Sequence, residues 1–325
     1  MPLHRVKQLL TAALTLVILQ APLVRAADCL PLPQAPTPEV MQQLAATAQD
    51  RGFLWKLSKD GHDSWLYGTM HVGKLDWIMP GPLVSSAMRS SEVFALELDP
   101  TDPATVQKLA ELSQQGAGQI PAALRPRLKK QLEAVCMAES AIDQFNPILL
   151  LSTIEVQALR KQGLEFAYGV ESVLIGYART AHKKIIPLET AESQMAALLG
   201  DDGKVDMVEF EAALTELEKD GAQTVADRLA LAWAQGDIAD LQRYENWCDC
   251  LNTPIQREEM KRLLDDRNGP LADSIDALHR QGKPIFVGVG ALHMMGVQGL
   301  PALLQRKGYV VLPIAFNVVN SDPKK

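Results

Sequence analysis

One phrase, used twice, constrains the fold of this chain more than any other feature. Trp65-Leu66-Tyr67-Gly68-Thr69-Met70-His71-Val72-Gly73 is a short apolar run that breaks at glycine and delivers a histidine three residues later. Ile285-Phe286-Val287-Gly288-Val289-Gly290-Ala291-Leu292-His293 repeats it 222 residues further on (293 minus 71). Apolar runs rich in β-branched and aromatic residues read as buried strands. Glycine at the end of such a run permits a sharp turn or close backbone approach, and so aims the following side chain into a crevice. Two histidines presented in this way from distant parts of the chain point to one shared site.

The rest of the chain alternates short apolar runs with long helical patterns. Phe53–Ser58 and Ser64–Tyr67 read as a β-hairpin around a five-residue connection, 59–63. Further strands are expected over Ser91–Pro100, Lys183–Thr190, Lys283–Gly290 and Tyr309–Ile314, the first of these closed by its proline at the C-terminal side. Residues 122–138, 147–162, 204–219 and 222–235 carry helical spacing. The expectation is one α/β domain over 53–317: a central mixed β-sheet, flanking helices, and helical cap insertions at 101–165 and 191–265. A proline-rich lead-in (27–52) precedes it and a short tail (318–325) follows.

The first 26 residues read as a cleavable signal peptide, with His4, Arg5 and Lys7 before the apolar run Leu9–Leu19 and small residues around Val24-Arg25-Ala26. That run is too short for a confident membrane span, and no later one reaches about 18 apolar residues. The expectation is a periplasmic or secreted protein with no stable membrane insertion after cleavage. Removing Arg5, Lys7 and Arg25 leaves 29 basic against 39 acidic residues, a net charge of −10 over 299 residues (325 minus 26). That balance disfavours nucleic-acid partners. Cys29, Cys136, Cys248 and Cys250 allow one or two disulfides in an oxidising compartment, in any of three connectivities. Cys248-Asp249-Cys250 also admits reading as a metal clip.

Four expected strands end in chemically capable residues: His71, Glu97, Glu189 and His293. In open α/β sheets the ligand crevice lies outside the carboxyl ends of the strands, where these side chains would converge. Two imidazoles and a carboxylate suit a divalent transition metal, so His71, Glu97 and His293 are the candidate ligands of Mn, Co or Zn. Such an ion would activate a bound water and polarise a carbonyl, the equipment of a hydrolase. Glu189 is then the candidate general base. Arg267 and Asn268, expected where one helix ends and the next begins at Gly269-Pro270, are candidates for oxyanion or substrate contact. Glu171 opens a helix, where its charge suits the dipole, and gets at most a supporting role. His62 falls in the hairpin turn, and His182 and His279 at charged helix ends.

These residues also carry a family likeness. Tyr67–Gly73, Leu96-Glu97-Leu98-Asp99, Gly169-Val170-Glu171, Leu188-Glu189-Thr190 with Gln194, Arg267-Asn268, Gly290–His293 and Leu303–Val311 stand in the order seen in the TraB/GumN family. The chain resembles that family over about residues 53–315. The family is related to the TIKI proteins, described as metal-dependent proteases. The resemblance implies a fold of the erythromycin-esterase and ChaN-like group, with both Gly-x-x-His motifs and Glu97 at the active site. The family pattern often has aspartate where this chain has Glu171.

The reading is therefore a periplasmic metal-dependent hydrolase acting on peptide bonds. Two alternatives stay open: a metal-free hydrolase of erythromycin-esterase type, in which a carboxylate orients a histidine acting as general base, and a non-catalytic accessory or binding protein of polysaccharide or envelope biogenesis.

Overall fold

A computed structural model describes residues 29–200, 205–219, 222–248 and 250–316; the expected signal peptide (1–26) and tail (318–325) lie outside them. Six strands form one mixed sheet in the order β4-β3-β5-β2-β1-β6: β1 Phe53–Lys59, β2 His62–Thr69, β3 Val93–Leu96, β4 Lys184–Pro187, β5 Ile285–Gly290 and β6 Val310–Ile314. β2, β5, β3 and β4 run parallel, and β1 lies antiparallel to both β2 and β6. This is the α/β architecture with a mixed sheet that the sequence implied.

Burial explains the strand patterns. β3 and β5 lie inside the sheet and are covered on both faces, so each is buried along its whole length and reads as an unbroken apolar run. Phe94 and Phe286 stack across the β3–β5 pair with ring centroids 5.2 Å apart. β4 and β6 are the edges, partly exposed, and each carries a proline (Pro187, Pro313), which an edge strand tolerates because one side of its ladder is unused.

The hairpin is tighter than its polarity suggested. Its turn is two residues, Asp60 and Gly61, both in the left-handed region (φ 51° and 81°), the geometry that matches strand twist. Lys59 and His62 pair with each other as strand residues. His62 therefore sits at the end of β2 opposite to His71. Its ring stacks on His279 at 3.8 Å. His279 is fully buried, held by Ser64 Oγ (2.8 Å) and the Lys59 carbonyl (3.1 Å). Burial pushes its pKa down; it closes a helix as expected, but as a buried ring.

The helices that bear on the site are α1 Pro103–Ser113, α2 Val170–Thr180, α3 Ala191–Leu199, α4 Ala222–Ala234 and α5 Asp265–His279. The helical insertions are tied to the sheet. Trp233 of α4 donates from Nε1 to the Gly68 carbonyl (2.8 Å), and its ring lies where a side chain at Gly52 would stand. One disulfide joins Cys29 of the lead-in to Cys136. The second joins Cys248 to Cys250, so that pair is a local crosslink and the metal-clip reading is set aside.

α5 corrects another expectation. The chain breaks at Leu264, and Arg267 and Asn268 lie in the first turn of a helix that continues through Pro270 to His279. Proline inside a helix forfeits one hydrogen bond, and the residue before it is normally pushed out of helical geometry by its side chain. Here that residue is Gly269, which has no side chain to clash with the proline ring.

Two further glycines let the first histidine motif pack against the start of α2. A Cβ at Gly169 would stand 2.3 Å from the His71 carbonyl oxygen, and one at Gly73 would stand 2.2 Å from that of Tyr168. Gly73 exchanges two backbone hydrogen bonds with Glu165 (3.0 and 2.8 Å), and the Val170 N–H donates to Met70 O (2.9 Å). This backbone contact fixes α2 beside His71. Gly169→Ala is expected to lower stability by about 1–3 kcal/mol through overpacking. Gly176→Ala, on the same helix with open space around it, should be neutral or gain up to about 1 kcal/mol. Urea denaturation of the two variants checks the contrast; equal losses at both positions would contradict it.

Candidate active site

Because β2, β5, β3 and β4 are parallel, their carboxyl ends meet at one edge of the sheet. Thr69 pairs with Gly290, Gly288 with Leu96, and Leu96 with Pro187. The β3–β4 ladder extends past both strands, with Leu188 N donating to Leu96 O (2.8 Å) and Glu189 N to Glu97 O (3.1 Å). His71, Glu97, Glu189 and His293 all leave at this edge, His293 through a short 3-10 turn, Ala291–Met294. Gly290 sits among three of them. A Cβ there would stand 3.4 Å from Glu97 Oε1, 3.6 Å from His293 Cδ2 and 3.9 Å from His71 Nε2. The bare glycine leaves that space free.

Arg267 reaches into the cluster from α5 and is almost fully buried. Its Nη2 donates to Glu97 Oε2 (2.7 Å) and Glu189 Oε1 (2.5 Å), and its Nε donates to Glu189 Oε2 (3.1 Å). Nη1 donates to the Leu263 carbonyl (3.1 Å) and to His293 Nε2 (3.2 Å). These contacts use all five N–H groups that a guanidinium offers. Buried beside two carboxylates, Arg267 stays charged: burial opposes the cation, but Glu97 and Glu189 outweigh it. Glu97 is also buried, yet Arg267 and a hydrogen bond from the Gly290 N–H (2.8 Å) hold its carboxyl below the usual range. Glu189 shifts the other way. Burial raises its pKa, aided by repulsion from Glu97 and only partly countered by Arg267.

Gln194, on α3 and 1 % exposed, completes this layer. Its Nε2 donates to both Glu97 Oε2 (3.2 Å) and Glu189 Oε1 (2.9 Å). Those two acceptors fix the amide's orientation.

The two histidines are held in matched ways and tuned differently. His71 Nδ1 lies 2.8 Å from Glu171 Oε1. The carboxylate makes Nδ1 the protonated nitrogen of the neutral ring and leaves the lone pair on Nε2. Burial disfavours the imidazolium, but the Glu171 charge outweighs it and the His71 pKa is raised. His293 Nδ1 lies 2.7 Å from Asn268 Oδ1. Asn268 spends its Nδ2 on the Gln298 carbonyl (2.9 Å), so its oxygen is the end facing the ring. His293 therefore also carries its proton on Nδ1. Burial, with the adjacent Arg267 cation, pushes its pKa down to about 3, so it is neutral at any ordinary pH.

All six residues singled out from the sequence thus lie in one cluster: His71, Glu97, Glu189, Arg267, Asn268 and His293. Arg267 and Asn268 are buried within it and not at a surface helix end. Glu171 and Gln194 are the participants that the residue-by-residue reading underrated. Glu171 had an adequate local explanation at its helix start, and its partner is 100 residues away.

A divalent metal would need these donors free. Each imidazole has its Nδ1 anchored, as metal-binding histidines usually do. Glu97, however, spends Oε1 on Gly290 N and Oε2 on Arg267 and Gln194, and His293 Nε2 faces Arg267 Nη1. A dication held by His71, Glu97 and His293 would lie against a buried guanidinium that already holds two of the three. Among the described residues, no group of three or more His, Cys, Asp or Glu side chains is arranged to hold a metal ion. The three-ligand set does not fit while Arg267 is in place.

Breaking a buried ion pair from one side typically costs about 3–5 kcal/mol, because the remaining charge is left uncompensated. Arg267→Met should therefore destabilise the protein by about that amount at pH 7. The loss should shrink as the pH falls and the two stranded carboxyls, Glu97 and Glu189, bind protons in the folded state more readily than in the unfolded one. Denaturant titration at pH 5 and pH 7 measures it; a loss independent of pH would assign the effect to packing.

The chain is similar to curated bacterial proteins and matches a family model. Over 163 residues the chain is 28 % identical to the Escherichia coli K12 protein described as "Uncharacterized protein YbaP", covering 47 % of this chain and 53 % of that one. The Shigella flexneri protein of the same description matches to the same extent. The chain thus spans about half the length of the curated relatives it matches. No solved structure matches it. The model of the TraB/PrgY/gumN family matches residues 53–313, from the first residue of β1 into β6. The chain belongs to that family.

Proposed function

We propose that this chain is an exported hydrolase of amide bonds, with His71 as its general base and Glu171 as the carboxylate that orients it. The observation that carries the reading is the asymmetry of the His71 ring. Its Nδ1 is held by Glu171 at 2.8 Å, while its Nε2 faces the space beside Gly290, Glu97 and His293. Glu189, named as base from the sequence, is a poorer candidate. Both its oxygens are engaged by Arg267 and one also by Gln194.

In this reading a water beside His71 Nε2 loses a proton to the ring as its oxygen attacks the substrate carbonyl carbon. Glu171 stabilises the imidazolium that forms. The C–N bond then breaks, and the imidazolium proton passes to the departing amine, which restores the neutral ring. Arg267 acts through others. With its N–H groups spent on the protein, it keeps Glu97 ionised, clamps Glu189, and holds His293 neutral. Two disulfides that pair all four cysteines support an oxidising, periplasmic or secreted location.

A metal-dependent hydrolase using Mn, Co or Zn is the competing reading. The matched Nδ1 anchoring of both imidazoles favours it, but it requires Arg267 to release Glu97 and His293. An accessory protein without turnover is the third outcome.

The test is turnover of a fluorogenic peptide library. His71→Ala should lower kcat/KM by about 10²–10⁴-fold, the usual contribution of a general base. Glu171→Gln removes the charge that raises the His71 pKa, so the acid limb of the pH–rate profile should move to lower pH while the rate falls. Undiminished turnover in His71→Ala would remove it as base. A wild-type protein that cleaves no member of the library would favour the accessory role.

A further inference from the structure

Beside the His71–Glu171 pair the structure holds a second feature, a cavity of about 60 Å³ between β3, α1, α2 and α3. Its walls are Leu98, Pro100, Leu109, Phe166 and Ile175, and its polar lining includes Glu171 and Gln194. Apolar walls with a few convergent polar groups are the usual form of a small-molecule site.

Two of those polar groups lack partners. Glu171 spends Oε1 on His71, and its Oε2 is buried with no donor among the described residues. Gln194 spends its Nε2 on Glu97 and Glu189, which leaves Oε1 as a pure acceptor, and this oxygen too is buried without a donor. The amide cannot turn round to satisfy it without giving up both carboxylates. Leaving a buried acceptor unsatisfied costs about 1–3 kcal/mol, so two on residues that line one cavity point to a place where something else supplies N–H or O–H groups.

We propose that this cavity is the specificity pocket of the hydrolase and takes a small apolar side chain of a peptide, whose backbone N–H groups donate to Gln194 Oε1 and Glu171 Oε2. The choice of substrate class follows from the chemistry. The two sites are acceptors, and Glu171 is a carboxylate, so an anionic group or an ester without N–H fits neither. Apolar walls disfavour a sugar, whose hydroxyls would face Leu109 and Ile175. A peptide residue with an aliphatic side chain offers both the donors and the apolar surface. The cavity is also lined by Glu97, which neighbours the space that His71 Nε2 faces. The pocket assignment rests on the hydrolase reading only for its role in turnover.

The experiment is saturation-transfer NMR on the wild-type chain with three probes. N-acetyl-leucine N-methylamide carries the side chain and both N–H groups. N-acetylglycine N-methylamide lacks the side chain, and the doubly N-methylated leucine probe lacks the donors. The first should show saturation at its isobutyl methyls and bind at least tenfold more tightly than either of the others. Ile175→Trp, which fills the cavity from its partly exposed rim, should abolish that signal without lowering the melting midpoint by more than a few degrees. Equal binding of the leucine and glycine probes, or of the leucine probe and its N-methylated form, would overturn the proposal. The wild-type comparison stands even if the variant does not fold. Binding as expected without cleavage of any peptide would sink the hydrolase reading and leave the pocket. Cleavage indifferent to the apolar residue would do the reverse.

Discussion

The guanidinium of Arg267 is the interaction on which the rest of this site depends. It enters from the first turn of α5 and binds carboxylates that leave two adjacent parallel strands, Glu97 after β3 and Glu189 after β4. Two buried carboxylates at neighbouring strand ends would repel one another, and each would be costly to remove from water. A single buried cation with five donors resolves both problems and leaves unequal results: Glu97 is held ionised, while burial raises the pKa of Glu189. The same cation contacts His293 and adds to the effect of burial in depressing its pKa. Only His71 stands outside this grip, paired instead with Glu171.

The fold makes that division possible through its glycines. Gly290 leaves room between Glu97 and the two imidazoles, and Gly169 and Gly73 let the start of α2 touch the His71 segment backbone to backbone. The two histidine phrases, alike in sequence, are therefore alike in position but opposite in electrostatics. A carboxylate behind one ring raises its pKa. Burial and the cation in front of the other lower it, and the amide behind that ring brings no charge to oppose them.

Much of this was legible in the chain. β3 and β5 were readable because strands covered on both faces are continuously apolar, and the convergence of His71, Glu97, Glu189 and His293 followed from parallel strands ending at one edge. What was hidden depended on contacts between distant segments. Glu171 looked complete as a helix-start carboxylate, and only the packing of Gly169 on His71 shows where its charge is directed. Arg267 and Asn268 read as a surface boundary because Gly269-Pro270 is normally a helix break, whereas the helix absorbs the proline one turn in. His62 and Lys59 looked like turn residues because they are polar, although they form the last pair of the hairpin ladder. Polarity alone does not separate an edge-facing strand residue from a loop residue.

Whether a cation other than Arg267 works at this site is the central question. Elemental analysis of protein purified from an exported fraction, read together with peptide turnover after exhaustive chelation, addresses it directly. The account predicts well under one divalent ion per chain and turnover unchanged by chelation. One ion per chain, lost together with activity when His71 and His293 are both changed to alanine, would contradict it and place a metal where Arg267 now holds the cluster together.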